Sequence, residues 1–265
     1  MKKTLTLLAI LAAIGPAWGA EVVSSNIVGY NKVTLTPGYN MIGIQFQEVG
    51  SANGSSAVST FGILDSTFEG FDEDINFANS MQVWNGNGYT TYGWAGSSPS
   101  QMDPEYASMD NTWLTFGGEP TEDTHTVGGG CWVRAATSGT ITLSGEVTAA
   151  EPVEIPITAG YNMVANPFPM NVPVSTFGKL DSSFAGFDED INFANSMQVW
   201  NGNGYTTYGW AATSPSQMDP EYASMDNTWL TFGGEPTEDV VPLGHAVWIR
   251  AASSGTMTFT PPASE

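Results

Sequence analysis

The residues best suited to chemistry in this sequence are aromatic and amide side chains grouped on predicted strands. The NGNG segment after Trp84 favours a two-residue hairpin turn, because Gly and Asn tolerate the positive φ that such turns require. Alternation along the two strands then places Gln82, Trp84 and Tyr89 together on one face. The aliphatic Met81 and Val83 take the opposite face.

Two later predicted strands extend this aromatic face. Alternation sets Leu114 and Phe116 opposite Trp113, and it sets Cys131 and Val133 opposite Trp132 and Arg134. Flat rings cover the apolar faces of sugars while Gln, Thr and Arg meet the hydroxyls, so the face suits a saccharide. The alternative is that a second sheet or the neighbouring domain covers these rings. The candidate ligand-binding residues are Trp84, Tyr89, Gln82, Trp113, Trp132 and Arg134, repeated as Trp200, Tyr205, Gln198, Trp229, Trp248 and Arg250.

The two arginines, Arg134 and Arg250, occupy equivalent positions in the two copies. A structural role is the alternative for both, either as an ion pair with a carboxylate or as guanidinium stacking on a tryptophan.

An acidic stretch near residue 72 supplies oxygen atoms at alternate positions, a pattern that can wrap calcium. An EF-hand loop starting at Asp72 would need Gly and Glu where the chain has Phe77 and Val83. A different kind of calcium site stays open, against a solvated turn closed by Asx hydrogen bonds. The candidate ligands are Asp72, Asp74 and Asn76, repeated as Asp188, Asp190 and Asn192.

Catalytic motifs are scarce. His125 and His245 are not equivalent between the two copies, and no Ser-His-Asp grouping, zinc spacing or phosphate-binding loop occurs. Carboxylate pairs for glycoside hydrolysis stay open, because sequence does not give their separation. The single cysteine, Cys131, has Val247 as its counterpart and is therefore expected to be a small core residue. We predict that the protein is not an enzyme.

An internal duplication organises the chain. Residues 60–123 match residues 176–239 without gaps at an offset of 116, and only five of these 64 positions differ. Near-identity at every kind of position indicates a recent duplication, not functional constraint. The differing pairs are Ile63/Lys179, Thr67/Ser183, Glu69/Ala185, Gly96/Ala212 and Ser97/Thr213.

Short alternating segments separated by Gly, Pro, Asn and Asp predict strands throughout each copy. The pattern indicates an all-β fold of two tandem β-sandwich-like or open-barrel domains, at 21–147 and 148–265. Only VSTFGILDS is predicted to form a helical turn. The strands of the first copy are predicted at 26–36, 39–46, 81–85, 89–94, 112–116, 131–136 and 140–143.

Residues 1–20 have the features of a secretory signal, with Lys2 and Lys3 before a short apolar run and a small-residue cleavage site. We therefore expect an extracellular or cell-surface protein without a transmembrane segment. Removing the two lysines takes the net charge from -21 to -23, which makes nucleic acid a poor partner.

Several motifs recur along the chain, namely GYNMIGIQF with its second copy GYNMVANPF, MQVWNGNGYTTYGW, WVRAA and SGTITLSGEV. Together they resemble a group of exported β-repeat proteins common in Verrucomicrobia and Lentisphaerae type bacteria. The resemblance implies a secreted all-β domain and brings no catalytic residue and no ligand. The chain departs from the pattern at Gln45 and in carrying two units.

The function expected from these features is an exported, non-enzymatic structural or adhesive protein. It would assemble with copies of itself through edge strands or end-to-end contacts. The alternative is a carbohydrate-binding protein that uses its repeated Trp and Tyr faces on an extracellular glycan.

Overall fold

The computed structural model of the chain describes residues 28–51, 54–72, 74–148 and 151–262. The predicted signal segment at 1–20 lies outside the described residues, as does the start of the first predicted domain. No helix in the described part of the chain is long and apolar enough to cross a membrane.

The first repeat consists of short strands with one helical excursion between its seventh and eighth strands. The strands are β1 (Val28–Leu35), β2 (Gly38–Gly43), β3 (Phe46–Gln47), β4 (Ser55–Ala57), β5 (Ile63–Leu64), β6 (Ser80–Trp84), β7 (Tyr89–Trp94), β8 (Trp113–Thr115), β9 (Thr124–Thr126), β10 (Gly130–Ala135) and β11 (Gly139–Val147). The helical excursion comprises α1 (Ser98–Met102) and a 3₁₀ helix at Pro104–Met109.

The second repeat has a similar order of elements, but among its described residues it has no strand equivalent to β3 and it has one more 3₁₀ helix. Its strands are β12 (Val153–Ile157), β13 (Gly160–Ala165), β14 (Val172–Pro173), β15 (Lys179–Leu180), β16 (Ser196–Trp200), β17 (Tyr205–Trp210), β18 (Trp229–Thr231), β19 (Val240–Val241), β20 (Ala246–Ala251) and β21 (Gly255–Phe259). Its helices are α2 (Ser214–Met218) and 3₁₀ helices at Val174–Thr176 and Pro220–Met225.

Each repeat is a sandwich of two antiparallel sheets. In the first repeat, one sheet has the order β1-β11-β3 with β5 also paired to β11, and the other has the order β2-β10-β6-β7-β8. The second repeat has the corresponding sheets β12-β21-β15 and β13-β20-β16-β17-β18. Alternating apolar residues such as Leu35, Met81 and Val133 meet between the two sheets and are fully buried. The predicted all-β, sandwich-like fold is confirmed.

The hairpin of β6 and β7 has the predicted parity. Met81 pairs with Tyr92 and Trp84 pairs with Tyr89, so Trp84 lies opposite the core face. Gly86 takes a positive φ of 96°, as the first central position of a II′ turn requires. The side-chain oxygen of Asn85 accepts hydrogen bonds from the backbone amides of Asn87 and Gly88, and these bonds close the turn.

The predicted face of β8 is wrong. Trp113 pairs with Trp94, is fully buried and belongs to the core between the two sheets of its own repeat. Its indole N–H donates to the carbonyl of Gly62 over 3.2 Å. Phe116, expected on the core face, is 55% exposed. Pairing with β7 decides the face of this strand, and alternation within the strand does not indicate which face is buried.

The two repeats contact each other through the outer faces of their five-stranded sheets. Gly43 approaches the second repeat so closely that a Cβ atom there would lie 2.6 Å from the Cβ of Ala165. The amide of Gly43 donates to the carbonyl of Gly244 over 2.8 Å, and the amide of Ala165 donates to that of Gly128 over 2.7 Å. These two bonds connect equivalent positions in opposite directions, so the repeats are related by a pseudo-twofold axis.

Candidate functional site

Four tryptophans from the predicted aromatic face form the centre of the contact between the repeats. Trp84 meets Trp248 with ring centroids 5.5 Å apart and planes at 88°, and Trp132 meets Trp200 at 5.5 Å and 89°. Edge-to-face contacts of this kind add to the stabilisation that burial of the rings supplies. We call these four residues the aromatic seam.

In addition to the ring contacts, hydrogen bonds hold the seam together. The indole N–H of Trp84 donates to the carbonyl of Tyr161 over 3.0 Å, and that of Trp200 donates to the carbonyl of Tyr39 over 3.0 Å. Each bond joins a hairpin tryptophan of one repeat to the backbone of the other. The seam is therefore isologous, with every contact present twice.

The seam contains half of the predicted ligand-binding rings. Trp132 and Trp248 are only 7% and 6% exposed, while Trp84 and Trp200 are half-buried. The geometry is that of the alternative interpretation, in which the neighbouring domain covers the face. Trp113 and Trp229 do not join the seam, because each lies in the core of its own repeat.

Tyrosines surround the seam and leave their rings partly in solvent. Tyr39 and Tyr161 are each 45% exposed, and Tyr89 and Tyr205 are each 43% exposed. Burial raises the pKa of Tyr205, and the nearby phenols of Tyr89 and Tyr161 add to the shift. We call these four residues the tyrosine rim.

The remaining predicted face residues lie beside the rim and seam. Gln82 and Gln198 are half-buried opposite Trp132 and Trp248 in the neighbouring strands. Arg134 and Arg250 are exposed, and the guanidinium of Arg134 donates to the carbonyl of Ala78 over 3.4 Å. The structure therefore brings the rim tyrosines, glutamines and arginines near one aromatic cluster.

The acidic stretch forms a turn closed by its own side chains. The carboxylate of Asp72 accepts hydrogen bonds from the amides of Asp74 and Asn76 and from the side chain of Asn76. These bonds, led by that from the Asn76 amide, lower the pKa of Asp72. Asp188 makes the same bonds with Asp190 and Asn192.

The sequence allowed either a calcium site or a turn closed by Asx hydrogen bonds, and the geometry of this loop is that of the Asx-bonded turn. The oxygen atoms of Asp72 that a cation would need are already acceptors for protein N–H groups. Among the described residues, no group of three or more His, Cys, Asp or Glu side chains is placed to hold a metal ion.

A groove borders this loop in the second repeat and was not predicted. Its cavity volume is about 850 Å³, and its lining comes from the β15 segment, the acidic loop, the end of β17 and helix α2. We call it the second groove. The first repeat has a smaller counterpart of about 500 Å³ between the acidic loop and α1, the first groove. The sequence signal that could have indicated the second groove is the set of positions at which the two copies differ.

His125 is an isolated buried imidazole in the first repeat. It is 3% exposed, its ring lies 4.8 Å from that of Phe61, and neither ring nitrogen has a partner among the described residues. Burial lowers its pKa to about 4, although the charge of Asp123 acts in the opposite direction. Burial raises the pKa of the Cys131 thiol, which is fully buried as expected for a core residue.

Comparisons with known proteins add no relative. No protein-family model, curated protein or solved structure matches the chain.

Proposed function

We propose that the protein is an exported, non-enzymatic structural or adhesive protein of the cell surface or extracellular space. The aromatic seam carries the proposal. Two sandwiches joined by paired ring contacts and paired hydrogen bonds form a stiff body, in contrast to domains that move on a linker. A stiff, duplicated body suits a protein that spaces or holds other components.

Strand β1 is the edge through which copies of the chain would assemble. Among the described residues it pairs only with β11, so its outer row of backbone N–H and C=O groups has no strand beside it. Its exposed face includes Tyr30, which is 76% exposed. An unpaired edge of eight residues is a template for a strand from another chain.

The second repeat supplies a natural way to block such an edge. In β12, Pro156 lies opposite Thr256 of β21, and a proline has no N–H to donate. The pairing with β21 tolerates this proline because the backbone nitrogen at this position points away from β21. The equivalent position in β1 is Thr34, opposite Thr140. Thr34→Pro therefore removes an outward donor and keeps the pairing with β11.

Sedimentation velocity and negative-stain microscopy of residues 21–265 test assembly. We expect association that grows with concentration, loss of association in Thr34→Pro, and no loss in the control Thr34→Val. A wild-type chain that stays monomeric at every concentration contradicts self-assembly, and equal association of the proline variant contradicts the role of β1.

Carbohydrate binding is the second candidate, and the tyrosine rim is the observation that favours it. The four half-exposed rings with exposed arginines beside them offer the stacking surface and polar groups that a glycan needs. A glycan array with wild type and with Tyr89→Ala plus Tyr205→Ala addresses it. These tyrosines are better targets than Trp84 or Trp200, whose loss would also open the seam.

A further inference from the structure

Within the near-identical block, residues 60–123 and 176–239, the few differences between the two copies concentrate at one place in the fold. Eighteen residues line the second groove, which is fewer than a third of the 64 aligned positions. Four of the five substituted positions are among them. They are Lys179, Ala185, Ala212 and Thr213.

The fifth substituted position also adjoins the groove. Ser183 lies between Ser182 and Phe184, which both line it. Substitutions that drift at random after a duplication would scatter over the exposed surface of the repeat. Their concentration indicates that the groove is the part of this block that changed in use.

The substitutions make the local charge less negative, although Asp181 and Asp188 still line the second groove. Exposed Ile63 of the first repeat becomes exposed Lys179, and exposed Glu69 becomes Ala185. The second groove therefore gains a positive charge and loses a negative one relative to the first. Lysine and arginine number only six in a chain of net charge -21. An added lysine at a groove is thus a marked local change in the field that a ligand meets.

One of the substitutions costs backbone energy. Ala212 takes a φ of 46°, in the left-handed region where its counterpart Gly96 has a φ of 54°. A residue with a Cβ loses about 1 kcal/mol in that conformation. Strained residues of this kind gather at binding sites, where the surrounding structure holds them.

The floor and walls of the second groove determine the kind of ligand it fits. Trp210 lines the floor, is 1% exposed, and its indole N–H has no hydrogen-bond partner among the described residues. Half-buried Phe187 and Phe193 add apolar ring surface. Exposed polar groups of Asp188 and Gln217 lie along the walls. Rings with hydrogen-bonding groups around them suit a sugar, whose hydroxyls can donate to carboxylates.

We propose that the second groove binds an acidic saccharide of the uronate type, with the sugar carboxylate at Lys179 and the sugar ring against Phe187 and Phe193. The first groove, which has Glu69 and no lysine, does not take this ligand. This site is separate from the tyrosine rim and does not depend on assembly through β1.

Isothermal titration calorimetry of residues 21–265 with trigalacturonate tests the proposal, with neutral galactotriose and inorganic phosphate as comparison ligands. We expect one trigalacturonate site per chain and at least about tenfold weaker binding of galactotriose, since a charged hydrogen bond is lost. The variant Lys179→Ile plus Ala185→Glu restores the residues of the first repeat, which the same fold already accommodates. It should weaken trigalacturonate binding by about tenfold or more.

Two further variants complete the design. Ser183→Thr, another exchange to the first-repeat residue but outside the lining, should bind as wild type does. Ile63→Lys plus Glu69→Ala should raise the stoichiometry from one site to two.

Several results would overturn the proposal. They are an absence of trigalacturonate binding by wild type, equal binding by the Lys179→Ile plus Ala185→Glu variant, and equal affinity for galactotriose. Binding of phosphate that displaces trigalacturonate with similar affinity would identify a simple anion site instead. Loss of binding in the Tyr89→Ala plus Tyr205→Ala variant alone would place the saccharide on the tyrosine rim.

Discussion

Replacing His125 with valine is expected to remove the loss of stability that protonation of this imidazole causes between pH 6.5 and pH 4. The imidazole is buried, neither of its nitrogens has a partner in the described part of the chain, and burial lowers its pKa to about 4 from the ordinary 6.5. The equivalent residue of the second repeat is Val241, which is also buried. The exchange therefore introduces a side chain that the same fold already holds at this position.

The magnitude follows from the two pKa values. At pH 7.5 the imidazole is neutral in both the folded and the unfolded chain, so its titration contributes nothing to stability. As the pH falls from 6.5 towards 4, the unfolded chain binds the proton and the folded chain does not, so stability is lost. The loss is about 2 kcal/mol at pH 5 and about 3 kcal/mol below pH 4.

Urea unfolding at pH 7.5 and pH 5.0 measures the effect. Between these pH values the wild type should lose about 2 kcal/mol more unfolding free energy than His125→Val. At pH 7.5 the variant should already be more stable by about 1 to 3 kcal/mol, because an unpartnered buried polar group is gone. Thr124→Val, an exchange to the equivalent Val240 in the same strand, is the control and should keep the wild-type pH dependence. Equal losses in wild type and His125→Val would refute the reasoning.

Three other changes have definite expected outcomes. Trp84→Ala removes the ring contact with Trp248 and should cost about 3 kcal/mol in the unfolding free energy; calorimetry should then resolve separate transitions for the two repeats, and one unchanged transition would contradict the role of the seam. Ala212→Gly should stabilise by about 1 kcal/mol in a thermal melt while Gly96→Ala destabilises, because both positions have a positive φ; opposite signs would contradict the strain. Calcium and chelator should give the same melting curve, since no group of three His, Cys, Asp or Glu side chains in the described residues is placed to hold a metal ion; a clear rise with calcium would show that the loop binds it.

Local turn chemistry explains how much of the fold the sequence predicts. All seven strands expected in the first repeat are present, with ends within a few residues of those expected. The hairpin face was predictable because Gly86 and Asn87 limit the turn to two residues, which ties the parity of β6 to that of β7. Strand β8 has no such turn, because a helical excursion separates it from its partner. Alternation alone does not tell which face of this strand is buried, and only the pairing of Trp113 with Trp94 decides it.

The candidate sites were less predictable because they depend on contacts between distant segments. The seam joins Trp84 to Trp248, and nothing local in the sequence indicates that one repeat covers the other. The grooves arise between an acidic loop and a short helix, and five-residue helices such as α1 have too few turns for a periodic signal. The five substituted positions were visible in the sequence, but their proximity appears only in the folded chain.

The pseudo-twofold contact has a consequence for how the molecule can vary. A homodimer built on the same contact would carry every substitution in both halves, and its two grooves would stay identical. Here the halves share one chain, so Ile63 and Lys179 occupy equivalent positions in the same molecule. The covalent link also holds the halves at an effective concentration in about the millimolar range, so dilution does not separate them. One half can therefore keep an inherited site while the other acquires a different one, without loss of the partnership between them.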